Sequence, residues 1–217
     1  ATETETAALE ELVQKSGSDA LCVHLNPAME VVQPEGDQDF RGGLDTLARL
    51  VEGLSVPIIV KETGCGLSRS VGERIRKLGI EWVDVSGAGG TSWVAVETHR
   101  ATNRKQMLGE TFWDWGIPTA ASVLQLKGLG LGICATGGMR TGLDVAKAIA
   151  IGATCGGIAR TFLQAHAAGG VEGLREAAIR VIHEIRIACL LCGARTPADL
   201  RSKPVMLGPQ LSRWSNV

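Results

Sequence analysis

The chain has 217 residues, enough for one large domain or two small ones. Its 22 Lys and Arg nearly balance 23 Asp and Glu, so no global field favours nucleic acid, and an anionic ligand must be held locally. No apolar run approaches the ~20 residues of a membrane helix, and the acidic start "ATETETAALEELVQ" lacks the basic and apolar parts of a leader, which predicts a cytoplasmic protein without a membrane partner.

The first strand-like run is "ALCVHLN" (20–26). His24 and Asn26 alternate with Leu25, so an extended backbone turns both to one side, where they could grip one anion. A hydrogen-bonded core histidine is the competing reading of His24. Beyond it Glu30, Glu35, Asp37 and Asp39 offer hard oxygen ligands. Mg²⁺ commonly takes only one or two protein carboxylates, which favours Glu30, nearest the strand, and leaves the others as a solvated loop.

The second run, "VPIIVKE" (56–62), ends on Lys61 and Glu62. A lysine at the tip of a buried strand is costly unless it meets an anion or reaches water. Ser68 then reads as an N-cap before "RSVGERIRKLG". The third run, "WVDVSG" (82–87), leads into "SGAGGTSW", and the fourth, "GICATGG" (132–138), into "ATGGMRTG". Both loops carry glycines that let backbone amides approach a phosphate, and both lead into a helix start. Their spacing is neither GxGxxG nor a Walker loop, but with Arg140 they resemble the phosphate grip built from the late loops of a barrel. Thr141 with Asp144 predicts a capping box. After the fifth run, "ATCGGIAR" (153–160), a long helix is predicted over 171–192, with Leu174, Ala177, Ala178, Val181, Ile182, Ile185 and Ala188 as its core stripe. Thr196 and Pro197 open a last helical turn at "ADLRS".

Near-continuous apolar strands alternating with helices predict parallel βα units covered on both faces, with the glycine loops at the carboxyl ends where such folds bind ligands. The five units are too few for an eight-stranded closed barrel, so the sheet is open or something precedes residue 1. Cys22, Cys134 and Cys155 fall in these strands and read as buried, reduced thiols. Cys189 and Cys192 form a CxxC at a helix end with no second ligand pair nearby, which argues against zinc.

In order along the chain, "HLNPAMEVVQPEGDQDFRG", "VPIIVKETGCGLSRSV", "VDVSGAGGTSWVAVE", "DWGIPTA" and "ATGGMRTGLDVAKAIAIGA" resemble the type 2 isopentenyl-diphosphate isomerases. The resemblance implies a TIM-barrel fold, FMN and Mg²⁺ as cofactors with NADPH as reductant, an isoprenoid diphosphate substrate and a homo-oligomer. It also implies that this chain covers about strands four to eight of the barrel, as one partial domain over 1–217, with the first strands absent. By motif, His24 and Asn26 would hold the substrate diphosphate and Glu30 the Mg²⁺. Lys61 would lie beside the flavin ring edge and Thr63 near the ligands, while Thr91, Gly137, Gly138, Arg140 and Ala159 would surround the ribityl phosphate.

Two departures from the family matter. Where the family has a glutamine implicated in proton transfer or substrate positioning, this chain has Met29, and a thioether neither donates a hydrogen bond nor carries a proton at neutral pH. The second is length, since the family's further N-terminal portion supplies basic residues for the diphosphate and part of the flavin pocket. Two other readings follow: a paralogue that binds ligand without the usual catalysis, and an FMN-dependent oxidoreductase of the 2-hydroxy acid oxidase type. The latter would want a histidine base after a strand, which His99, His166 and His183 do not supply.

Overall fold

A strand–helix alternation runs through residues 6–215, the part described by the computed structural model. The first five residues of the acidic start lie outside the described residues. In chain order the elements are α1 (Thr6–Ser16), β1 (Leu21–His24), α2 (Pro27–Val32), α3 (Gly43–Gly53), β2 (Ile58–Lys61), α4 (Arg69–Lys77) and β3 (Trp82–Asp84). They continue with α5 (Trp93–Arg100), α6 (Asn103–Thr111), α7 (Thr119–Leu126), β4 (Gly132–Ala135), α8 (Gly142–Ile151), β5 (Cys155–Gly156) and α9 (Arg160–Leu191). A 3₁₀ turn, Pro197–Ser202, and the short α10 (Pro209–Ser212) close the described chain.

All five strands are parallel and lie in the order β1-β2-β3-β4-β5. A doubly wound sheet reverses its order at a switch point, whereas sequential order is what an arc of a β/α barrel requires. The strands sit where the sequence predicts them, each shorter than its apolar run.

Alternation along the strands decides which face is buried. Ile58 and Val60 of β2, Val83 of β3 and Ile133 and Ala135 of β4 pack against Leu47, Leu50, Ile75 and Leu126 of the helices. The opposite face carries Cys22, Ile59, Trp82, Asp84 and Cys134 and is open or half-open. Cys22 and Cys155, expected buried, are exposed in this chain and Cys134 is half-buried, because they lie on the inner face of an arc that these five strands do not close. Apolar composition marks a strand that belongs in a closed interior, but it cannot show which face the helices take.

The helix starts follow their caps. Ser68 accepts from the Val71 amide at 3.4 Å, and Thr141 and Asp144 form a reciprocal capping box. The same box at Thr196 and Asp199 opens a 3₁₀ turn rather than an α-helix. Gly170, with φ 59° and ψ −145°, is non-helical and breaks α9 into two helical segments, the second of which starts at the predicted 171. Of its predicted core stripe Ala177, Val181 and Ala188 are buried, whereas Ile182 is exposed. Among the described residues no helix is long and apolar enough to cross a membrane.

The β2–α4 loop owes its position to α7. Ser122, fully buried, donates to the Leu67 carbonyl at 2.7 Å and accepts from the Leu67 amide at 2.9 Å. Gln125 accepts from the Arg69 amide at 3.1 Å. Together they fasten the β2–α4 loop to the start of the next unit. Ser122→Ala leaves two buried backbone groups unpaired and is expected to destabilise the protein by about 2 kcal/mol, lowering the thermal midpoint by roughly 4–8 °C in calorimetry. An unchanged midpoint would show that the loop is held otherwise. The edges of β1 and β5, together with exposed Leu163, Val171, Ile179, Leu190 and Leu191 on α9, make an unpartnered apolar surface. The 217-residue chain by itself is therefore expected to sediment as associated species, and a stable monomer would contradict this.

Candidate functional site

Over the carboxyl ends of β2 to β5 lies a cavity of about 680 Å³. Lys61, Thr63, Thr91, Gly137, Gly138, Arg140 and Ala159 all line it, although they come from four separate strand-to-helix loops. The sequence-predicted cofactor positions are thus brought together in one place.

Lys61 and Glu62 end β2 and part company there. Lys61 stays on the open face and lines the cavity, where its Nζ donates to the Glu62 carbonyl at 2.6 Å and reaches the Thr63 hydroxyl at 3.5 Å. Glu62 turns inward and is 5% exposed. Its carboxylate accepts from the Thr63 amide and from the Cys65 amide at 2.6 Å, so it folds the "TGCG" turn that brings Thr63 and Gly64 to the cavity. Burial pushes the Glu62 pKa up while those amides and Lys61 oppose the shift. The sequence left Glu62 without a role; its work is to shape the loop.

Another part of the cavity wall is made by the two glycine loops, which touch backbone to backbone. A Cβ on Gly90 would lie 2.8 Å from the Gly138 nitrogen, and one on Gly137 would lie 2.7 Å from the Gly87 nitrogen. Gly137 and Gly138 hold φ of 95° and 77°, a region that favours glycine. Thr119 clasps the pair: its amide donates to the Ala88 carbonyl at 3.1 Å and its hydroxyl reaches the carbonyls of Thr136 at 3.1 Å and Gly137 at 2.6 Å.

The next loop brings the N-terminus of α9. Ala159 is its N-cap, no side chain caps it, and Arg140 and Arg160 both line the cavity beside it. The Thr161 hydroxyl donates to the Arg140 carbonyl at 3.0 Å, tying the two loops together. An uncapped helix start with glycine loops and two arginines is a fitting cradle for a phosphate.

Asp84, Ser86, Thr136 and Arg160 also line the cavity and were not singled out from the sequence. Asp84 is the Cα partner of Lys61, and its Oδ1 accepts from the Thr136 hydroxyl and from the Ser86 amide at 3.0 Å. Alternation in "WVDVSG" places Asp84 and Ser86 on one face. Its partner Thr136 stands 52 positions away, a pairing visible only in the fold.

His24, Asn26, Met29 and Glu30 form a second group, on the rim after β1 and outside the cavity lining. The regular strand ends at His24, and Asn26 is the N-cap of α2. The Asn26 amide donates to Glu30 Oε1 at 3.0 Å and meets the Met29 sulfur at 3.9 Å, while Glu30 Oε2 accepts from the Asp37 amide at 3.0 Å. His24 is the Cα partner of Lys61. Its pKa is lowered, first by partial burial and then by Lys61, with Glu30 acting in the opposite sense. The other acids are exposed and engaged elsewhere: Glu35 pairs with Arg100 at 2.7 Å and Asp39 with Arg41 at 2.5 Å. Gln33 and Arg100 hold Glu35 down to about 2.

Helices α2, α5 and α6 carry this rim on a small core of Val32, Val94 and Ala101. Arg100 bridges Glu35 and buried Glu97, each at 2.7 Å, and Lys105 donates to the Gln33 carbonyl at 2.6 Å.

Comparison with known proteins shows the fold and the family. Over 214 residues the chain is 44% identical to an isopentenyl-diphosphate delta-isomerase of Methanothermobacter thermautotrophicus, an alignment covering 95% of this chain and 59% of that protein. Over 204 residues it is 46% identical to the protein of the same name from Thermococcus kodakarensis, covering 93% and 54%. The chain thus spans little more than half the length of these relatives. Among solved structures, mandelate oxidase with benzoyl-formic acid superposes with a TM-score of 0.66 at 19% identity, covering 94% of this chain and 61% of that one. A putative lactate oxidase of Pediococcus acidilactici gives 0.66 at 18%, covering 91% and 56%. These structures share the barrel fold, of which this chain supplies about strands four to eight. The sequence model of the FMN-dependent dehydrogenases matches residues 8–207, which include every loop of the cavity, and the chain belongs to that family.

Proposed function

We propose that the chain is the carboxyl-terminal part of a type 2 isopentenyl-diphosphate isomerase, a cytoplasmic homo-oligomer using FMN, Mg²⁺ and NADPH as reductant to interconvert isopentenyl and dimethylallyl diphosphate. The observation that carries this reading is the convergence of seven sequence-predicted cofactor positions on one cavity. All six cysteines are free, which suits a reducing compartment.

The residues fit FMN. Gly137, Gly138, Arg140 and the α9 start suit its phosphate, and Lys61, which lines the same cavity from the end of β2, suits the ring edge. When bound, the reduced flavin supplies the proton chemistry at the substrate alkene. Lys61 places a fixed cation where anionic charge would otherwise be costly, and Asp84, with Thr136 and Ser86, shapes the floor beside it. His24 and Asn26 would take the diphosphate. Glu30 would give Mg²⁺ its single protein carboxylate, the remaining positions going to water and substrate oxygens. Asn26 is already bonded to Glu30, so the diphosphate and metal positions are mechanically joined.

Met29 limits the chemistry. Its sulfur contacts Asn26, so it stands among the rim groups without being able to relay a proton. In the full-length protein with reduced FMN and Mg²⁺, dimethylallyl diphosphate should form slowly, and Met29→Gln should raise turnover by about ten-fold or more. No product from either protein, with flavin bound, would mark a ligand-binding paralogue. The hydroxy-acid oxidase reading is less favoured because His99 lies in α5 and His166 and His183 in α9, and the strand-end histidine, His24, lies outside the cavity lining.

Arg140→Ala removes one charge-assisted contact and should weaken FMN binding roughly 10- to 100-fold in fluorescence titration, leaving the thermal midpoint of the apoprotein unchanged. Unaltered FMN affinity would remove Arg140 from the phosphate site.

A further inference from the structure

Lys61 and Asp84 carry opposite charges on neighbouring strands and do not pair. They are Cα partners on β2 and β3, both line the cavity, and such strands lie about 4.8 Å apart. Among the described residues no ion pair joins them. Each is engaged elsewhere: Lys61 Nζ with the Glu62 carbonyl and the Thr63 hydroxyl, Asp84 Oδ1 with the Ser86 amide at 3.0 Å and the Thr136 hydroxyl. Ser86 has φ 33°, a left-handed conformation that is costly for a residue other than glycine. Its carbonyl accepts from the Gly64 amide at 2.7 Å and the Gly66 amide at 3.3 Å, so the turn after β3 supports the turn that brings Thr63 to the cavity. All these bonds are made by β2, β3, β4 and the loops after them, away from the two edges of the arc.

On the reading that FMN fills this cavity, we propose that Asp84 is a positioning residue and a counter-charge: its carboxylate holds Ser86 in the left-handed turn and offsets Lys61 at the flavin ring edge. Lys61 favours anionic charge on the ring, and Asp84, one strand away, disfavours it. Lys61 alone would bias the bound cofactor toward its reduced, anionic form. With Asp84 beside it, the oxidised and reduced forms are held closer in stability.

Thr136 is what keeps the two charges apart. Its hydroxyl, at the end of β4, ties the carboxylate on the side away from β2, so Asp84 does not swing across to neutralise Lys61. The lysine stays available to an anion, and the carboxylate acts on it through space.

Asp84→Asn removes the charge but keeps an acceptor for both donors, because an amide oxygen has two lone pairs. In the full-length protein it should bind FMN as the wild type does. Spectroelectrochemical titration should then find its bound flavin easier to reduce by about ten-fold in equilibrium constant, or ~30 mV for a two-electron couple. Asp84→Ala removes the acceptor as well and should also weaken FMN binding about ten-fold in fluorescence titration. A flavin potential in Asp84→Asn equal to or below that of the wild type would overturn the proposal, as would wild-type FMN affinity in Asp84→Ala. A wild-type protein that does not bind FMN would overturn the reading of the cavity itself, and the proposal with it.

Discussion

The cavity exists because two glycine loops touch through their backbones and Thr119 holds them there. Gly87 and Gly90 meet Gly137 and Gly138 at distances that leave no room for a Cβ, and one hydroxyl secures the Thr136 and Gly137 carbonyls behind them. The contact sets how far apart the ends of β3 and β4 stand, and so where Arg140 and the start of α9 can be. It makes the wall rigid, as a phosphate cradle requires, because preorganised donors need no rearrangement when the ligand arrives. A side chain at either loop would separate the loops before it disturbed any residue that faces the ligand.

The rim after β1 is built on a different principle. It hangs from α2, α5 and α6, a group with a core of its own, and is laced by Arg100 and Lys105 to the loop that follows Glu30. Such ion pairs at half-exposed positions contribute little stability individually, yet they fix the path of an irregular loop. The cavity and the rim meet at the partnership of His24 and Lys61 on β1 and β2. Under the proposed function that partnership sets substrate against cofactor, and Met29 stands on the substrate side, beside Asn26.

The strands, their order and their carboxyl-end loops were legible in the sequence because each strand is a short apolar run punctuated by glycine. The phosphate wall was legible for the same reason: glycine at a strand end announces close backbone approach. The role of Glu62 was not, since a buried carboxylate bonded to the turn that follows it looks in sequence like any acid beside a lysine. Asp84 was missed because its partners stand on β2 and at the end of β4, whereas Cys22 and Cys155 are open because they lie on the inner face of an arc that five strands do not close. The α5–α6 insertion, which carries the rim, has too weak a helical periodicity to announce itself.

The central claim is that the late loops and the α9 start hold a phosphate. Calorimetric titration of the full-length apoprotein with FMN and with riboflavin, which differ only in that group, tests it most directly. Two charge-assisted contacts of ~1.5 kcal/mol each predict that FMN binds at least about 100-fold more tightly. Equal affinities would mean that the cavity does not grip the phosphate and would contradict the account.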